Sequence, residues 1–437
     1  PPWAIGMSIM ATLVSSVTFI AYPGSAYSGN WSLLVPAFMM AVVLGLIGRV
    51  IVPFYREAVR MSAYEYFGKR FGTGVRMYGS IAFSLGHFGK MGFVSYLVAL
   101  TVHSMTGWNQ DVVIVGVGIV TIFYTVAGGL EAVIWAEVIQ GFIKWVGVFV
   151  ALGYLLWLPA GGPAAVLGLG WEQSKFSFGS WDLDFARKTI PTLALYGFFW
   201  YLQKYTADQT MVQRYLAARS DEAALRAARI GVMQTLPIWI LFMLIGTCTW
   251  AFYKLGTATL PGFITKADQV FPHFLATQLP VGVSGIFMAA LMAAAMSTVS
   301  GDLNCIAAVG VADVYKVWRP AADDAAQLRA GRWIVVVFGV LGAAMAEVFG
   351  EHRPIVTSTK GVTGHALGAA GAIEAIAVIL AMQHRLIPPT DGHVNDDPEM
   401  PPIDLVTGAP RAWEPGVSIS NSFGFGGHNG TVVLRSV

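Results

Sequence analysis

The sequence predicts a mainly α fold: a multi-span membrane helical bundle over about residues 1–350, followed by a small α/β piece over about 351–437. Three observations carry this. Hydrophobic residues make up 55% of the 437 and charged residues only 12%, about half the charged share of a soluble domain. Mean hydropathy is +0.61. Nine stretches approach the roughly 20 apolar residues that a spanning helix needs, at about 4–22, 32–52, 78–102, 112–128, 133–158, 190–208, 230–254, 282–311 and 332–350. After Gly350 no such run remains.

The loops between these stretches set an orientation. Lys and Arg concentrate after the second, sixth and eighth spans, in Arg49, Arg56, Arg60, Lys69, Arg70 and Arg76, in Lys204, Arg214, Arg219, Arg226 and Arg229, and in Lys316, Arg319, Arg329 and Arg332. The positive-inside rule puts those loops in the cytoplasm. The ninth span then leaves on the outside. Residues 351–437 read as a strand at Pro354–Ser358, a helix from about Gly368 to His384, a Pro/Asp-rich loop over 388–402, and two strands near Val417–Asn421 and Thr431–Arg435 around a Gly-rich turn. A net charge of +2 leaves no footprint for nucleic acid. Cys248 and Cys305 sit in apolar stretches and suggest neither a disulfide framework nor a metal site. The chain opens at Pro1-Pro2-Trp3 without Met, which reads as an internal fragment.

The first span holds Ala11-Thr12-Leu13-Val14-Ser15-Ser16 and then Tyr22-Pro23-Gly24-Ser25. Small polar residues and a Pro-Gly step suggest a broken helix, whose free carbonyls can replace the water shell of a cation. A kinked structural helix fits the same residues. In the eighth span Ala294, Ser297 and Thr298 stand at i, i+3 and i+4, on one helix face. Their oxygens suit a hard cation, and equally suit helix–helix hydrogen bonding.

Four motifs then resemble the sodium:solute symporter family. They are Pro53-Phe54-Tyr55-Arg56 with Tyr64-Glu65-Tyr66-Phe67-Gly68-Lys69-Arg70-Phe71-Gly72; Gly128-Gly129-Leu130-Glu131-Ala132-Val133-Ile134-Trp135-Ala136-Glu137-Val138-Ile139-Gln140; Asp208-Gln209-Thr210-Met211-Val212-Gln213-Arg214-Tyr215-Leu216; and Phe271-Pro272 through the eighth span to Asp313-Val314-Tyr315-Lys316. The resemblance implies the five-plus-five inverted-repeat bundle of the leucine-transporter type, truncated here after nine helices. It implies sodium-coupled symport of a small organic solute by alternating access, no enzymatic activity, and a multi-pass place in the plasma (inner) membrane. The expected partners are sodium, the solute and the lipid bilayer. Carried over residue by residue, the sodium ligands are the carbonyls of Ala11, Val14 and Ala294 with the hydroxyls of Ser297 and Thr298. Glu137 matches an acid on the sodium path, or marks the cytoplasmic end of its span. Val17 and Thr18 stand where sugar carriers of the family place polar side chains, which argues against a sugar. Thr18, Tyr196, Trp200 and Tyr201 are candidate substrate contacts. Lys90 is a candidate for an anionic solute, as is Lys204, or each snorkels to the interface.

The last residues resemble a different family, the β-ketoacyl-acyl-carrier-protein synthases of the thiolase fold. The carriers are Val356-Thr357-Ser358-Thr359-Lys360-Gly361-Val362-Thr363-Gly364-His365 with Gly368-Ala369-Ala370-Gly371-Ala372-Ile373-Glu374, and Asn421-Ser422-Phe423-Gly424-Phe425-Gly426-Gly427-His428-Asn429. The resemblance implies a catalytic role for His365 and Lys360 and a gatekeeper at Phe425, with acyl-carrier protein as the partner of the parent enzyme. The nucleophilic cysteine and the first histidine are missing, and without a nucleophile there is no acyl-enzyme. A condensing synthase represented only by an inactive C-terminal fragment is thus the alternative to a transporter. The two pieces would be fused near Ala346–Glu351.

Overall fold

The structure is a computed structural model; it describes residues 1–437 except 185–186, 263, 265, 352–354, 359–369, 391–403, 424–428 and 436–437. Two compact units separate, Pro1–Glu347 and Val348–Val437.

The first unit is helical throughout. Its helices are α1 (Pro2–Leu13), α2 (Ser16–Ser28), α3 (Leu34–Ala58), α4 (Glu65–Phe71), α5 (Thr73–Thr106), α6 (Gln110–Trp157), α7 (Gly162–Glu172), α8 (Ile190–Thr206), α9 (Gln209–Ala217), α10 (Asp221–Lys254), α11 (Ala267–Thr277), α12 (Val281–Val309), α13 (Lys316–Trp318) and α14 (Asp324–Glu351). A π-helical stretch, Gly310–Tyr315, extends α12. Among the described residues, six helices are long and apolar enough to cross a membrane, and α1 with α2, bent by 61°, forms a seventh, broken span.

The break falls between Val14 and Ser15, where Val14 takes φ −95° and ψ 87°. The Pro-Gly step that suggested a break at Tyr22-Pro23-Gly24-Ser25 stays helical inside α2. Helix α6 counts 48 residues, about 72 Å at 1.5 Å per residue, more than twice a hydrocarbon core of about 30 Å. It is two crossings, the stretches 112–128 and 133–158, joined at Gly129, whose φ of 55° and ψ of −146° interrupt the helix. Only glycine takes that backbone readily. The stretch 190–208 forms α8, of 17 residues.

Helix α12 packs along α6, α1 along α10, and α2 also along α10. Glycines allow the close approaches: a Cβ on Gly246 of α10 would lie 2.2 Å from the Pro23 carbonyl oxygen. The apolar core runs through these contacts, with Met10, Val14, Phe242, Phe274, Ala294 and Leu303 all buried.

In the second unit a helix, α15 (Ala370–His384), packs on β5 (Val417–Phe423). Strand β5 pairs antiparallel with β6 (Asn429–Arg435), in register from Val417–Arg435 to Phe423–Asn429. Four two-residue strands come earlier in this unit: β1 (Ile355–Val356), within the expected strand, and β2 (Leu386–Ile387), β3 (Asp404–Leu405) and β4 (Arg411–Ala412), which were not anticipated from the sequence.

Candidate functional site

The break after Val14 leaves helix-end carbonyls without intrahelical partners. Those of Ala11 and Val14 point to one place, and Ser297 of α12 reaches it from the other side. Ser297 Oγ lies 3.0 Å from the Ala11 oxygen and 3.0 Å from the Ala294 oxygen. Thr298 Oγ1 donates back to the Ala294 carbonyl at 3.1 Å. All five residues expected to hold sodium are thus drawn together. At their centre stands the ammonium of Lys144, from the second half of α6. Its Nζ donates to Ala11 O at 2.8 Å, Val14 O at 2.8 Å and Ser297 Oγ at 2.9 Å. Lys144 is wholly buried.

Two turns earlier on α6, Glu137 is also wholly buried. Its carboxylate pairs with Arg214 of α9, Nη2 lying 2.8 Å from Oε1 and 3.0 Å from Oε2. Ser8 donates to Oε2, and Thr12 donates to Oε1 at 3.1 Å. Arg214 Nε donates to Ser8 Oγ at 2.8 Å and Nη1 to the Thr210 carbonyl at 2.7 Å. Every charge here has a partner, as a low-dielectric interior demands.

A second charged chain crosses α5, α12, α9 and α8. Asp302 of α12 lies 3.0 Å from Lys90 Nζ and 2.7 Å from His87 Nδ1. His87 Nε2 is 3.7 Å from Asp208, whose carboxylate takes Lys204 Nζ at 2.7 Å. Lys90 and Lys204, considered for an anionic solute, are therefore engaged with carboxylates of the protein itself.

Thr18 is buried in α2. Tyr196 and Trp200 of α8 approach with ring centroids 6.2 Å apart, and Tyr201 faces Tyr205 at the same distance. Tyr22 of α2 stacks on Trp239 of α10 at 5.5 Å.

The motif residues outside these clusters lock the loop ends of the helices. Asp313, in the π-helical stretch, accepts from Arg76 Nε, Ser62 Oγ and Ser80 Oγ, each at 2.6 Å. Glu65 accepts from the backbone N–H groups of Arg60, Met61 and Ser62. Arg56 Nε pairs with Asp221 at 2.6 Å. In the second unit, Lys360, His365 and Phe425 lie outside the described residues.

Lys144, Arg214, Asp302, His87 and Asp208 were not singled out as site residues from the sequence. A signal existed for the first: a lone lysine midway along an apolar span is functional by default. Arg214 and Asp208 stood inside a motif, but their partners lie on other helices.

A sequence profile of the sodium:solute symporter family matches residues 1–384. The chain is 32% identical over 343 residues to the sodium/sialic acid symporter NanT of Aliivibrio fischeri, covering 78% of this chain and 68% of the relative. It is 30% identical over 349 residues to the sodium/sialic acid symporter SiaT of Proteus mirabilis, covering 79% and 70%. A solved structure of a Na+-coupled sialic acid symporter, substrate-bound and outward-open, superposes with a TM-score of 0.76 at 29% identity, covering 80% of this chain and 75% of that one.

Proposed function

The chain belongs to the sodium:solute symporter family, and from that premise we propose that it carries a small organic solute across the plasma membrane by alternating access, with rocking of one helix bundle against the rest. It is a sodium-coupled symporter and not an enzyme. The observation that carries the reading is the broken span α1–α2, whose free carbonyls face α12 across a buried cation. A purely structural bundle has no use for interrupted backbone at that depth. Thr18, Tyr196, Trp200 and Tyr201 are assigned to the solute's surroundings, supported by the aromatic pairs along α8 and the burial of Thr18. The loops after the second, sixth and eighth spans are assigned to the cytoplasm on their Lys and Arg content.

The relatives' sialic acid, an acidic sugar, is the solute to try first, against the expectation from Val17 and Thr18, which argued against a sugar. The full chain in liposomes, given an inward sodium gradient and labelled sialic acid, is expected to accumulate label above empty vesicles. Equal counts in both would overturn sialic acid as the solute.

For residues 351–437 the reading remains a β-ketoacyl synthase fragment joined to a truncated symporter core of residues 1–350. Its support is the two sequence motifs; among the described residues near them α15 packs on β5, which pairs with β6. Such a fragment has no nucleophile. Incubation with labelled acyl-acyl-carrier protein is expected to leave no label on the chain, and covalent labelling would sink the reading.

A further inference from the structure

We propose that Lys144 supplies the resident cation at the junction of α1, α2 and α12, so that no sodium ion binds there. The inference deepens the transporter reading and rests on it for the meaning of the site.

The geometry is that of a filled site. An ammonium has three N–H donors, and Lys144 Nζ meets three acceptors, the oxygens of Ala11, Val14 and Ser297, at 2.8, 2.8 and 2.9 Å. These are the free helix-end carbonyls and hydroxyl that suit a dehydrated cation. No carboxylate touches Lys144 among the described residues; Glu137, on the same helix, is held by Arg214. The ammonium therefore depends on those three oxygens. A sodium ion entering the same cradle would meet a like charge at contact distance.

The sequence builds this placement. Gly141, Lys144 and Gly147 fall three residues apart, on one face of α6. A Cβ on Gly141 would lie 2.7 Å from Met7 Sδ of α1, and one on Gly147 would lie 3.2 Å from the Ala290 Cβ of α12. The two glycines let α6 press against both walls of the cradle, and the lysine between them reaches in.

A tethered cation has a consequence for transport. A sodium ion bound here would leave with each cycle; the Lys144 charge stays with the protein. The chain would then carry one sodium fewer per cycle than a carrier with this cradle open, and any coupling sodium binds at other residues.

Equilibrium binding of ²²Na+ to the full chain in detergent, with no solute added, tests this apart from transport. Ser297→Ala in the otherwise unchanged chain is expected to leave the amount of bound sodium unaltered. Lys144→Ala is expected to add one sodium per chain, and Lys144→Ala with Ser297→Ala to lose that gain. Loss of one sodium on Ser297→Ala alone would overturn the proposal, because the ion would then be displacing the lysine. So would a monodisperse Lys144→Ala protein that gains none. If Lys144→Ala does not fold, the Ser297→Ala arm decides by itself. A failed sialic acid uptake assay leaves this binding result standing, so the two readings fail separately.

Discussion

Nη2 of Arg214 lies 2.8 Å from Oε1 of Glu137, and their side chains are 1% and 0% exposed. The pair joins α9 to α6, and Ser8 and Thr12 of α1 complete its hydrogen bonds. Removing one partner of a buried pair typically costs about 3–5 kcal/mol, because the other charge is stranded. Glu137→Gln keeps the shape but strands Arg214. The expected outcome is a large fall in the thermal midpoint of the detergent-solubilised chain, with partial recovery when Arg214→Gln is added. A Glu137→Gln chain that melts like the parent would show that Arg214 finds another anion.

Gly129 makes α6 into two crossings. Its φ of 55° and ψ of −146° belong to a region open essentially to glycine. Open space surrounds it, since a Cβ there meets nothing within 4 Å. The cost of Gly129→Ala is therefore backbone strain alone, about 1–3 kcal/mol. Gly116→Ala, on the same helix with equal space and ordinary helical backbone, is the control. Thermal unfolding should show a drop for the first and none for the second. Equal midpoints would mean that the joint can adopt another conformation.

These relationships differ in how far the sequence reveals them. The spans were legible because a bilayer demands long apolar helices. The oxygen cluster followed from the family resemblance, because the local residues suited a kinked helix and helix–helix hydrogen bonding equally. Of the two places that suggested a break, the chain turns in the first, at Val14, while Pro23 is tolerated inside α2. Lys144 escaped for a related reason. Its three partners lie 133, 130 and 153 residues away in the chain, and no local pattern announces a contact that only helix packing creates. The same holds for Arg214, whose motif showed that it matters but not that Glu137 is its partner.

Asp313 gathers three donors at 2.6 Å, from Arg76, Ser62 and Ser80, and so ties the end of α12 to the segments around α4 and α5. Hydrogen bonds to a charged group contribute about 1.5–3 kcal/mol each. Asp313→Asn keeps an acceptor but loses the charge. Losing one such contribution corresponds to roughly ten- to hundredfold faster local opening, since about 1.4 kcal/mol is a factor of ten. Hydrogen exchange should show this in peptides spanning 62–80, with peptides from α10 unchanged. Faster exchange everywhere would point to global destabilisation instead of a local clasp.

Asp302 offers a contrast with Glu137 that magnitude decides. Both carboxylates are fully buried, but their partners are not equally trapped. Arg214 is 1% exposed, whereas the Lys90 side chain is 35% exposed and His87 13%. When Asp302 becomes Asn, Lys90 can swing its ammonium out of the packed interior along its flexible stem. Arg214 cannot do so. Asp302→Asn should therefore lower the thermal midpoint by clearly less than Glu137→Gln. Adding Lys90→Met to Asp302→Asn should change little further, because the lysine has already left. A midpoint for Asp302→Asn as low as that of Glu137→Gln would mean that Lys90 stays trapped after its carboxylate is gone, and that the chain from Lys90 through Asp302 to His87 is held as rigidly as the Glu137–Arg214 pair.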